Sequence, residues 1–195
     1  MKFVLFRHSI REHMVENNCS ISREGVDMVN TKLDELKNIM EQSPEIILTS
    51  PYKRAFDTSL CIASYYNKQS NSMQNIQIMI DIDLRETVFR EMQTEHLDRT
   101  LFEYLNLQEF DTWETIMERC KSYLKKIKPY ANSYNVVFGV SHGGFLNAIV
   151  KVIDPSYNFD TDNIDPHSYV PKYADFVIFN YDKINDKWVV EYKNF

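Results

Sequence analysis

The feature that most constrains this chain is an alternation. Short apolar runs, Lys2-Phe3-Val4-Leu5-Phe6, Glu45-Ile46-Ile47-Leu48-Thr49 and the stretches 76–82 and 135–140, are separated by segments whose apolar residues fall three and four apart. Runs of that length bounded by polar turns read as buried strands, and the wider spacing reads as amphipathic helices. Strands alternating with helices imply a mostly parallel sheet covered on both faces, which is a three-layer α/β/α sandwich.

The helical segments carry their own start and stop signals. Ser22 stands where a cap belongs, ahead of Val26, Val29, Leu33, Leu36 and Met40, and Pro44 ends that segment. Ser50-Pro51 reads as a serine cap followed by proline at the first helical position, opening a helix with Arg54, Ala55, Phe56, Thr58, Leu60 and Ile62 that frays in the polar tract 67–75. Trp113, Ile116, Cys120, Tyr123, Leu124 and Ile127 share one helical face behind a cap at Asp111 or Thr112. A further apolar helix covers 145–153.

The alternating runs 173–181 and 187–192 predict a hairpin at the sheet's edge. Residues 87–110 show mixed spacing, as in a cap over a site. Residues 154–172 hold Pro155, Pro166 and Pro171 without periodicity, as in a loop that lines one. Neither a repeat nor a low-complexity linker divides the chain, so residues 1–195 read as a single domain.

A chain of 195 residues is long enough for one substantial core without a disulfide or metal staple. The net charge of -6 disfavours bulk nucleic-acid or acidic-membrane binding. Cys19, Cys61 and Cys120 are widely spaced and odd in number, a pattern of reducing compartments. No apolar run reaches the length of a membrane span, and the run before Arg7 is too short for a signal peptide, so a cytoplasmic location is expected.

The strand-like runs end in unusual turns: Arg7-His8-Ser9-Ile10-Arg11 after the first, Ser50 to Arg54 after the second, Asp83-Leu84-Arg85-Glu86 after the third and Ser141-His142-Gly143-Gly144 after the fourth. Open α/β sheets bind ligands at the carboxyl edge of their strands. If the turns gather there, Arg7, His8, Arg11, Arg54, Glu86 and His142 converge, a set suited to phosphoryl transfer. Guanidinium forks match phosphate oxygens in paired, charge-assisted hydrogen bonds. A helix starting after His142 would add backbone N–H donors, with Gly143 and Gly144 admitting a close approach. Taken singly, Arg54 could be a solvated face residue, Glu86 a capping carboxylate and His142 a core histidine; it is the combination that argues for a site.

Arg7-His8-Ser9, Ser22-x-x-Gly25, Ser50-Pro51-x-x-Arg54-Ala55-x-x-Thr58, Leu84-x-Glu86 and Ser141-His142-Gly143 resemble, in order, the motifs of the histidine phosphatase superfamily, also called phosphoglycerate mutase-like. The resemblance implies that fold and a phosphohistidine mechanism on a small phosphomonoester, without metal or other cofactor. In it His8 is the nucleophile, Arg7, Arg54 and His142 hold the phosphoryl oxygens, and Glu86 exchanges the proton with the leaving oxygen and the attacking water. Phosphate contacts extend to Ser9, Arg11 and Gly143. His13, His96 and His167 lie outside the motifs and read as surface or loop residues, and the histidine spacing supports no metal site.

Two departures stand out. Ser9 occupies a place where the family usually has glycine, and its side chain would either crowd the phosphate or offer it a hydroxyl. Ile10 and Met14 stand where mutases and many relatives continue with glutamate and asparagine, whereas Arg11 resembles the arginine of some phosphatase branches. The expectation is therefore a phosphatase, with a phosphoglycerate-type mutase as the alternative and a non-catalytic phospho-ligand module as a third reading.

Overall fold

A computed structural model of the chain describes residues 1–12, 18–40, 42–69, 76–87, 111–158 and 171–195. Its strands are β1 (Lys2–Arg7), β2 (Ile46–Thr49), β3 (Gln77–Ile80), β4 (Val136–Ser141), β5 (Phe176–Asp182) and β6 (Lys187–Lys193). The helices are α1 (Arg23–Ile39), α2 (Lys53–Gln69), α3 (Trp113–Ile127) and α4 (Gly143–Ile153), with 3-10 turns at Ile82–Leu84 and Lys128–Asn132.

All six strands form one sheet in the order β3-β2-β4-β1-β5-β6. The first four neighbours are parallel, while β5 runs antiparallel to β1 and β6 antiparallel to β5. The expected edge hairpin is thus β5–β6. Side-chain alternation feeds both faces. Phe3 and Leu5 of β1 join α3 and α4 residues such as Cys120, Tyr123, Phe145 and Ile149 in one core. Val4 and Phe6 join Val29, Leu33 and Leu36 of α1 and Ile62 and Tyr66 of α2 in the other. Burial on both faces explains why β1, β2 and β4 are nearly continuous apolar runs, whereas β3, expected to be buried, lies at the sheet's edge and is mostly exposed.

Local chemistry sets the helix starts. Ser22 Oγ accepts from Gly25 N–H at the head of α1, and Thr112 with Thr115 forms a reciprocal capping box at the head of α3. The start of α2 differs from the expectation. Its first helical residue is Lys53, two past Pro51, and the N–H groups of Ala55 and Phe56 both return to Tyr52 O. The third strand is also shorter than expected: it stops at Ile80, and Asp81 caps the 3-10 turn that follows.

Register brings the turns together. Arg7 pairs with Ser141 and Thr49 with Val140, so the carboxyl ends of β1, β4 and β2 lie side by side. His8 N–H then donates to Ser141 O at 2.8 Å, Ser50 N–H to Val140 O at 2.9 Å and Asp81 N–H to Thr49 O at 2.7 Å.

Candidate active site

Just beyond that edge His8, Arg54, Glu86 and His142 meet, supplied by the ends of β1, β2, β3 and β4. The imidazole centroids of His8 and His142 are 5.1 Å apart, and both rings are buried. Arg54, 4% exposed, is the hub: Nε donates to His8 Nε2 at 3.1 Å and Nη2 to Glu86 Oε2 at 3.1 Å, with His142 Nδ1 3.3 Å from Nη2.

The His8 tautomer follows from its neighbours. Nδ1 lies 2.8 Å from Ser9 O, which only accepts, so Nδ1 carries the hydrogen and Nε2 keeps its lone pair. Burial, reinforced by the charge of Arg54, holds His8 well below its ordinary value. Near neutrality the ring is therefore unprotonated, with the Nε2 lone pair facing the arginine. His142 is also neutral: burial depresses it to about 4, Glu86 opposing and Arg54 assisting. For Glu86 burial works upward, but the hydrogen bond with His142 and the charge of Arg54 outweigh it and hold the carboxyl well below its ordinary range.

Other motif residues place this cluster rather than join it. Thr58 Oγ1 donates to Arg54 O at 2.8 Å and accepts from Ser9 N–H at 3.1 Å, which ties the nucleophile turn to α2. Ser141 Oγ donates to Leu84 O at 2.8 Å, drawing the turn that carries Glu86 onto β4. Gly25 is required because a Cβ there would sit 2.6 Å from Ile10 O, while Ser22 N–H bonds that same carbonyl. The chain from Ser9 to Ile10 thus rests against the start of α1.

The remaining expected contacts divide. Arg7 Nη1 bonds Pro171 O, its guanidinium lies 4.2 Å from the Tyr173 ring centroid, and its buried Nε has no partner among the described residues. Arg11 pairs with Ile21 across an isolated bridge, and its charge acts on Arg7. Gly143 opens α4 behind His142, whose side chain does not cap the helix. Ser9 departs from both sequence alternatives: its buried hydroxyl donates to Gly25 O at 2.7 Å, so it braces α1 instead of reaching for a phosphate. Gly144 makes room for Thr87, since a Cβ would lie 2.4 Å from Thr87 Oγ1, and not for an anion as expected. Residues 88–110 of the expected cap, 159–170 of the expected loop, and His13, His96 and His167 lie outside the described residues.

Three residues make contacts that the sequence does not predict. Tyr52 stacks under Arg54, 4.5 Å from its guanidinium, and edges His142 at 5.2 Å; Tyr173 does the same for Arg7 and lies 5.7 Å from His8. Ser50 Oγ, expected to cap α2, lies 2.8 Å from His142 Nε2. Aromatic spacing gives no hint of which ring will stack on a cation. Serine before proline marks a helix cap, but this hydroxyl turns to His142 instead.

His8, Glu86 and His142 offer ligand atoms within 4.8 Å of one another, a spacing compatible with a metal ion. Arg54 argues against that use, because its guanidinium already engages His8 Nε2 and Glu86 Oε2 and would repel a second cation. The same cation beside a neutral imidazole lone pair suits an anion with an electrophilic centre. A tetrahedral phosphoryl group meets both requirements.

Comparison with known proteins agrees with this chemistry. A family model described as "Histidine phosphatase superfamily (branch 1)" matches residues 3–183. A protein of Hydrogenobacter thermophilus named "Putative phosphoserine phosphatase 2" is 28% identical over 130 residues, 60% of this chain and 59% of that protein, so the match spans less than two thirds of the relative. The fold resembles a phosphoglycerate mutase from Bacillus anthracis, with a TM-score of 0.72 at 15% identity, covering 98% of this chain and 91% of that one. It also resembles a mycobacterial glucosyl-3-phosphoglycerate phosphatase, with a TM-score of 0.68 at 14% identity, covering 97% and 96%.

Proposed function

This chain belongs to the histidine phosphatase superfamily, and on that premise we propose that it hydrolyses small phosphomonoesters through a phosphohistidine formed on His8 Nε2. The observation that carries the reading is the His8 ring itself: Nδ1 is committed to Ser9 O, protonation is suppressed by burial and Arg54, and Nε2 faces the guanidinium that would hold the phosphoryl group. Nε2 attacks phosphorus in line while Arg54, Arg7 and the N–H of His142 take the equatorial oxygens. The alcohol leaves with a proton from Glu86, and Glu86 then removes one from the water that cleaves the phosphohistidine. Side-chain cations supply the charge that a metal would otherwise provide, so turnover needs none.

No helix among the described residues is long and apolar enough to cross a membrane, and Cys19, Cys61 and Cys120 form no disulfide among the described residues. We take the protein to act in a reducing compartment, consistent with the cytoplasm, on freely diffusing phosphorylated metabolites.

A panel of such metabolites incubated with the purified protein and EDTA, against a His8→Ala control, tests the proposal. Phosphate release that resists EDTA and vanishes in the variant is the expected result; magnesium-dependent release that survives the substitution overturns it. Including 3-phosphoglycerate with its bisphosphate distinguishes the mutase, which would give isomer without free phosphate.

A further inference from the structure

We infer that Ser50 is a positioning residue that fixes the tautomer of His142, and through it the hydrogen-bond donor presented to the phosphoryl group; its catalytic consequence rests on the function proposed above. Ser50 is fully buried immediately after β2, and because β2 neighbours β4 it stands beside the residue that follows β4. Its Oγ is 2.8 Å from His142 Nε2 and 3.4 Å from the N–H of Tyr52. A backbone N–H only donates, so it occupies one Ser50 lone pair and the hydroxyl hydrogen can point at His142 Nε2; the far side of the ring decides that it does.

The other side of the ring agrees. Nδ1 is 3.0 Å from Glu86 Oε2, a carboxylate held ionised and able only to accept. Arg54 Nη2 lies farther from Nδ1, at 3.3 Å, and sends its hydrogen to the same Oε2 at 3.1 Å. The consistent chain is Tyr52 N–H to Ser50 Oγ, Ser50 O–H to His142 Nε2, and His142 Nδ1–H to Glu86. In the opposite tautomer two lone pairs would face each other at Nδ1 and Oε2.

The consequence concerns the donor. A neutral imidazole has a single N–H, and it assists phosphoryl transfer only when that hydrogen is on the nitrogen facing the cluster. Without the Ser50 hydroxyl the Nε2 lone pair loses its donor and Glu86 alone holds the hydrogen on Nδ1, so the Nε2-protonated form becomes more accessible. The ring would then present a lone pair to a phosphate oxygen.

The test compares Ser50→Ala with Ser50→Thr, which restores a hydroxyl, by two readouts: imidazole nitrogen chemical shifts of His142 by NMR, and steady-state kinetics on the best substrate of the panel. The wild type should show a protonated Nδ1, the alanine variant a mixed population with kcat lowered about 10- to 100-fold at little-changed KM, comparable to losing a histidine's outer partner at metal sites, and the threonine variant recovery of both. An unchanged tautomer in a folded Ser50→Ala protein overturns the inference whatever the activity. A shifted tautomer with kcat within twofold of wild type refutes the catalytic part. The tautomer is read without turnover, so failure of the phosphatase assay alone would count against the proposed function and not against Ser50.

Discussion

The buried imidazole of His142 should make stability fall as the solution is acidified. Its folded-state value is depressed from an ordinary 6.5 to about 4, so the unfolded chain takes up a proton in a range where the folded chain does not. The stabilisation from keeping the ring neutral is complete above 6.5 and is lost as pH falls toward 4. At 1.36 kcal/mol per pH unit the whole loss is about 3 kcal/mol, of which about 2 kcal/mol has gone by pH 5. That is a large part of a stability that commonly amounts to about 5–15 kcal/mol. The window from pH 7.5 to 5 stays above the ordinary glutamate value of 4.5, which keeps Glu86 out of the balance. His8, depressed in the same direction, steepens the wild-type slope further. Urea unfolding of wild type and His142→Asn at both pH values isolates the ring: the wild type should lose about 2 kcal/mol more than the variant. Parallel losses, or proton uptake by His142 seen by NMR above pH 6, would show that burial does not hold the ring neutral.

Three further outcomes follow from the site. Glu86→Gln should slow esters with poor leaving groups by about 10²- to 10⁴-fold, the usual worth of a proton donor, and slow activated aryl phosphates far less; equal slowing removes Glu86 from that role. Arg54→Ala should weaken competitive inhibition by inorganic phosphate, because the guanidinium joining His8, Glu86 and His142 is lost, and unchanged inhibition would put Arg54 outside the phosphate pocket. Gly144→Ala should cost about 1–3 kcal/mol by overpacking against Thr87 and reduce turnover, because Thr87 N–H holds Glu86 Oε1 at 3.0 Å. Combining it with Thr87→Ala should recover part of the stability, and no recovery in the double variant would refute the clash.

Much of this arrangement was legible because local and global signals agree. Apolar runs that stop abruptly gave the strands, and histidine, arginine and glutamate in the turns behind them gave the cluster. What escaped were choices made only in three dimensions. Ser50 followed by proline has the form of a helix cap, yet its hydroxyl turns to a histidine 92 residues away. Ser9 stands directly beside His8, but Gly25, in the first turn of α1, offers its hydroxyl a carbonyl at 2.7 Å. Neither partner is within reach of a spacing rule. Tyr52 and Tyr173 likewise have nothing in their flanking residues to mark them as supports for Arg54 and Arg7.

The state of Glu86 connects the resting geometry to the proposed cycle. Without substrate it is a carboxylate, neutralised by Arg54 and hydrogen-bonded by His142, which suits it to take a proton from water but not to give one to a leaving alcohol. In the proposed cycle an arriving phosphate dianion would reverse both influences. It would draw the Arg54 and His142 donors onto its own oxygens and set negative charge beside Glu86, whose side chain is 29% exposed and so within reach of solvent protons. Each change would raise the carboxyl's affinity for a proton, so substrate binding itself would load the proposed acid. Once the alcohol has departed with that proton, Glu86 is again a carboxylate as water approaches the phosphohistidine. One residue can thus serve both halves of the reaction because the substrate's own charge sets its protonation.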